Sequence, residues 1–131
     1  MDFKRENFSS GAPLEEKVGY SRVVKVGPLV HVGGTTSVQS DGSVFGVDDG
    51  YAQTKFILEK IEDNLNKAGA GLKDVTKVKM YAVDMGRSSE YIKAYSEFFK
   101  EIKPLFTLVG IKELNRETQL LEIEVDAFIN A

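Results

Sequence analysis

Three carboxylates, Glu122, Glu124 and Asp126, recur at every second position of the run Leu120 to Ile129. In an extended strand that spacing places them side by side on one face, with Leu121, Ile123, Val125 and Ala127 on the other. Like charges so arranged repel one another unless cations or a partner surface answer them. The alternative is a solvated acidic face on an edge strand. Other chemistries find little support in the chain. It has no cysteine and one histidine, His31, so thiolate chemistry is excluded and His31 alone cannot supply the ligands of a zinc site. His31 lies in a valine-rich run with no base–nucleophile pair near it and reads as structural. Nothing in the sequence matches a nucleophile elbow, a P-loop or a dinucleotide fingerprint. No cofactor is implied.

The elements that must hold these carboxylates are legible in the hydrophobic pattern. Ser21 to Val26 and Leu29 to Val32, separated by Gly27-Pro28, read as a β-hairpin. Thr35 to Val38 reads as a further short strand or an extended loop. Asp48 or Asp49 caps a helix beginning near Tyr51, whose apolar stripe is Ile57, Ile61, Leu65 and Ala68; Gly69 and Gly71 end it. Val75 to Asp84 alternates as a half-buried strand. A second helix is capped by Ser88 or Ser89, carries Tyr91, Ile92, Tyr95, Phe99 and Ile102 on one side, and leaves at Pro104. Phe106 to Ile111 and Leu120 to Ile129 complete the chain as strands. The first 19 residues show no sustained period and read as an irregular arm. The predicted order is β-β-α-β-α-β-β, an α+β fold with a mixed sheet and two helices on one of its faces.

At 131 residues, 42% of them hydrophobic, the chain suits one domain over residues 1–131 with one core. It has no apolar run long enough to span a bilayer, and Met1 to Phe8 is charged rather than apolar, so the expected compartment is the cytoplasm, with no membrane partner. A net charge of −3 with 17 scattered basic residues offers nothing to attract a nucleic acid. Val24, Val26, Val30, Val32 and Val38 supply more β-branched surface than one helix-covered face needs. A sheet-to-sheet contact between copies of the chain would cover it and bring a neighbour's Arg22, Arg116 or lysines to the acids.

Across nearly its whole length the chain resembles the Rid family, the YjgF-like proteins often labelled L-PSP endoribonucleases. The resemblance rests on Val18-Gly19-Tyr20-Ser21-Arg22, on Leu29-Val30-His31-Val32-Gly33-Gly34, and on Ala52-Gln53-Thr54 at the first helix. It continues with Ala68-Gly69-Ala70-Gly71-Leu72-Lys73-Asp74-Val75, Tyr95-Ser96-Glu97-Phe98-Phe99 and Glu122-Ile123-Glu124. It implies a chorismate-mutase-like homotrimer with helices outside and a small-molecule ligand in each of three intersubunit clefts. In the deaminase members such a cleft holds a 2-imino acid: a P-x-R-(S/T) arginine grips its carboxylate, and a strand glutamate positions the water that hydrolyses the C=N bond.

By that resemblance Glu122 is the catalytic residue, Tyr20 the cleft tyrosine, and Gly33, Gly34, Phe106 and Thr107 belong to the ligand-binding surface. The chain departs from the pattern at Pro104-Leu105-Phe106-Thr107, where Phe106 replaces the arginine with an apolar wall. Gly86 stands where deaminase members commonly carry a polar residue. Arg22, Arg87 and Arg116 are alternative sources of the missing cation. The function implied is hydrolysis of an imine, enamine or similar metabolite. The alternative is a non-catalytic small-molecule binder or trimeric scaffold, and the endoribonuclease of the older label ranks last because the chain lacks paired histidines and a basic cluster.

Overall fold

The computed structural model describes residues 2–130, so Met1 of the charged opening segment lies outside it. Six strands form one mixed sheet: β1 (Arg5–Phe8), β2 (Val23–Val26), β3 (Leu29–Thr35), β4 (Val75–Ala82), β5 (Leu105–Gly110) and β6 (Leu121–Phe128). Their spatial order is β1-β2-β3-β6-β4-β5. Every pairing is antiparallel except β4 with β5, which the intervening helix makes parallel. The β2–β3 hairpin closes through Gly27-Pro28, with Gly27 at φ 56°, a conformation that suits glycine.

The predicted order is present, but the opening arm is not irregular. It supplies β1, paired to β2 from Arg5 opposite Val26 to Phe8 opposite Val23. It also supplies the six-residue helix α1 (Pro13–Val18), which starts on Pro13 and ends on Gly19 at φ 100°. Both are too short to show a period, and β1 is recruited by the open edge of β2 rather than by its own propensity.

Helix α2 (Gly50–Lys67) is capped by Asp49, whose carboxylate accepts the Ala52 N–H at 2.9 Å. All four predicted stripe residues, Ile57, Ile61, Leu65 and Ala68, are buried. Helix α3 (Ser88–Phe99) departs from expectation at its start. Ser88 opens the helix without a side-chain cap, because a 3-10 turn at Met85–Arg87 precedes it and Asp84 accepts the Gly86 N–H there. On its inner face Tyr91, Ala94, Tyr95 and Phe99 are buried, whereas Ile92 is 43% exposed; one step of about 100° from Tyr91 carries Ile92 out of the core stripe.

Both long helices cover the face carrying Val23, Val30, Val32, Val78, Met80, Leu121, Ile123 and Val125, which form one core. Two of the valines read as surplus, Val30 and Val32, are therefore spent on that core. The opposite face carries Val24, Val26, Leu29, His31, Phe128 and the three carboxylates, with Leu29 and Phe128 exposed. Among the described residues no helix is long and apolar enough to cross a membrane.

Candidate functional site

Glu122 owes its setting to an irregularity in β3. Val32 lies opposite Val125 and Thr35 opposite Ile123, so three steps along β3 match two along β6 and the extra residue bulges at Gly33-Gly34. The Glu122 carboxyl rests against that backbone. A side chain at Gly34 would put its Cβ 2.7 Å from Glu122 Cδ, so only glycine leaves the carboxyl its room. Gly33 donates its N–H to Arg22 O at 2.9 Å, which ties the bulge to the residue before β2.

Around Glu122 opens a cavity of about 1110 Å³ whose walls include Tyr20, Arg22, Gly34, Lys60, Arg116 and Glu122. Burial raises the Glu122 pKa; the Arg22 charge opposes the rise and that of Glu124 adds to it. A carboxylate so placed accepts a proton more readily near neutral pH than a solvated one. Arg22 is held by the scaffold: its Nη1 donates to Gly34 O and, at 3.2 Å, to Thr35 Oγ1, while Nε lies 4.0 Å from Glu15. Burial alone would push Glu15 up, but hydrogen bonds from Ser10 and Ser9 and the charge of Arg22 hold it below its usual range. Lys60 donates to Thr36 O at 3.0 Å and Val38 O at 2.9 Å, and burial, with repulsion from Arg22, lowers its pKa.

The acidic row is answered within the chain. Tyr81 Oη donates to Glu124 at 2.8 Å, and His31 Nδ1 stands 2.8 Å from Asp126 Oδ1. With Arg22 near Glu122, each acid has its own polar neighbour without a second copy. No group of three His, Asp or Glu side chains among the described residues is arranged to hold a metal ion.

Of the residues expected to form the site, the fold brings Tyr20, Gly34 and Glu122 to one cavity, with Gly33 behind it as part of the bulge. It does not bring Phe106 or Thr107 there within one chain. Phe106 points to the helix side of β5 and stacks on Tyr95 with ring centroids 4.2 Å apart. Thr107 pairs with Lys79 from β5, the third strand beyond β3. Arg87 lies elsewhere too, in ion pairs with Asp48, Asp84 and Glu90. Glu15 and Lys60 line the cavity unforeseen, since nothing in local sequence distinguishes a buried acid or lysine from a solvated one. Gln53 is also structural to the site. It is fully buried and donates to Gly46 O and Thr118 O while accepting the Leu120 N–H, which pins both ends of the approach to β6.

Residues 11–129 match the family model described as Endoribonuclease L-PSP. A RutC family protein of Pyrococcus abyssi is 34% identical over 109 residues, covering 83% of this chain and 85% of its own. The relative named 3-aminoacrylate deaminase RutC, from Acinetobacter baylyi, is 33% identical over 85 residues, covering 65% of this chain and 68% of its own. The crystal structure of a YjgF family member from Mycobacterium tuberculosis superposes with a TM-score of 0.86 at 39% identity, over 96% of this chain and 100% of that one. The bulged strand, the two-helix layer and the glutamate on β6 thus sit in a shared architecture: this chain belongs to the Endoribonuclease L-PSP family, the Rid/YjgF-like proteins.

Proposed function

We propose that the protein hydrolyses the C=N bond of a small imine, or of an enamine through its imine tautomer, with Glu122 as the catalytic base. The observation that carries this reading is the Glu122 carboxyl itself, half-buried, seated on the Gly34 backbone and facing a polar cavity shared with Tyr20 and Arg22. Glu122 takes a proton from water as the water oxygen bonds to the imine carbon, and hands that proton to the nitrogen. The carbinolamine then collapses: Glu122 takes the hydroxyl proton and passes it to the nitrogen, the C–N bond breaks, ammonia leaves and the carbonyl forms. Imine and water give carbonyl compound and ammonia with no redox step. That a relative of this chain is named for deamination of 3-aminoacrylate, an enamine, is in keeping with this chemistry.

The reading includes a homotrimer. Val24, Val26, Leu29 and Phe128 leave an apolar strip on the helix-free face, which a second copy would cover. The test is to generate 2-imino acids in situ with an amino-acid oxidase and follow their loss with native protein and with Glu122→Gln. Acceleration by the native protein that disappears in Glu122→Gln is expected. A native protein that leaves the spontaneous rate unchanged across small and aromatic imines would sink the proposal and favour the binder reading.

A further inference from the structure

The chain has four arginines, and their placement separates them. Arg5 bonds Asn7 on the edge strand β1. Arg87 is enclosed by three carboxylates outside the cavity. Arg22 lines the cavity but spends its guanidinium on the carbonyls of the bulge, on Thr35 and on Glu15. Arg116 lines the same cavity as Glu122, is exposed, and its guanidinium meets no carboxylate or hydrogen-bond acceptor among the described residues.

Its root is nevertheless held. The Arg116 backbone N–H donates to Gln119 Oε1 at 3.0 Å, and Gln119, only 3% exposed, donates to Thr36 Oγ1 at 3.1 Å. One residue from Gln119, the Thr118 carbonyl accepts from the buried Gln53. The loop before β6 therefore carries a committed backbone and an uncommitted guanidinium on the wall of the cavity that holds Glu122.

We infer that Arg116 is the substrate-carboxylate anchor of this protein, binding the carboxylate of a 2-imino acid bidentately so that its C=N carbon is presented to Glu122. This inference rests on the imine-hydrolysis reading of the same cavity. Guanidinium geometry suits that role, because two parallel N–H donors match the two oxygens of a carboxylate, which an ammonium cannot do. Lys60, the half-buried cation nearby, already donates to two carbonyls. Lys67 at the end of α2 is exposed on the cavity rim, and Asp63 and Glu113 share that rim, so the positive charge there is local rather than a general field. The anchor sits on the loop leading into β6, on the cavity wall, whereas Phe106 on β5 stacks on Tyr95.

Binding of pyruvate, the product of the smallest such imino acid, and of uncharged pyruvamide is to be titrated by NMR. The proteins are native, Arg116→Gln, Arg116→Lys and Lys67→Gln. Arg116→Gln should weaken pyruvate by about 10- to 100-fold, the usual cost of losing a hydrogen-bonded charge partner, and leave pyruvamide unchanged. Arg116→Lys should recover part of the loss, and Lys67→Gln should bind as native does. Undiminished pyruvate binding by Arg116→Gln overturns the inference, as does an equal loss for pyruvamide or a native protein that binds neither. The hydrolysis assay separates the two readings. Pyruvate held through Arg116 without turnover leaves the anchor standing and removes the enzyme. Turnover that needs Glu122 while Arg116→Gln keeps the native KM removes the anchor and leaves the enzyme.

Discussion

Replacing Gly34 with alanine adds one methyl group at the point where the Glu122 carboxyl lies on β3. The added carbon would stand 2.7 Å from Glu122 Cδ and 2.9 Å from each carboxylate oxygen, whereas carbon atoms rest at about 3.5–4.0 Å. The carboxyl must retreat by about 1 Å. It can do so by turning a side-chain torsion about 30° from its rotamer, which costs about 0.5–1.5 kcal/mol. Gly34 is not among the positive-φ glycines, so alanine adds no backbone strain there. The expected stability loss is thus small, while a reacting group displaced by about 1 Å loses about 100-fold in rate. Urea unfolding and the imine-hydrolysis assay, run on Gly34→Ala, should show this split. In a Glu122→Ala background the methyl meets no carboxyl, so most of its stability cost should vanish, a coupling that a double-mutant cycle measures directly. A Gly34→Ala protein that hydrolyses imines at the native rate, or costs that simply add, would refute this placement of Glu122.

Glu122→Gln should melt at a higher temperature than the native protein at pH 7. The folded pKa of Glu122 lies above its ordinary value of 4.5, so the native fold loses stability as pH rises through the folded pKa and bears no such cost below the unfolded one; the difference should close by about pH 4 in thermal melts. On the same grounds native hydrolysis should fall on the acid side as Glu122 takes up its proton. Gln53→Ala should cost about 1–3 kcal/mol in urea unfolding, because the buried Leu120 N–H loses its acceptor, and limited proteolysis should find the 112–119 loop loosened. Phe106→Leu should lose the stack on Tyr95, worth about 0.5–1.5 kcal/mol beyond area, with KM unchanged; a raised KM would return Phe106 to a cleft completed by a second copy.

The sequence alone determined what depends on period and local chemistry. The 3.6-residue stripe of α2, its cap within the pair Asp48-Asp49, the alternation of β4 and β6 and the hairpin at Gly27-Pro28 all rest on residues within a turn or two of one another, and each stands where the pattern put it. So does the facing of Glu122, Glu124 and Asp126, because alternation in a strand leaves no other choice. What lay beyond the sequence was everything set by contacts across the fold. β1 exists because β2 offers an open edge, and Ser88 lost its cap role to a turn built by Asp84. The tertiary structure decided that Arg22 and Tyr81 answer the acids within one chain, and that within that chain Phe106 lies on Tyr95, away from the chain's own Glu122. It also joined Glu15, Lys60, Arg116 and Glu122 around one cavity, from four elements spread over more than 100 positions. Hydrophobic period places a residue on a face; only the register of β3 against β6, with its bulge at Gly33-Gly34, places one side chain against another.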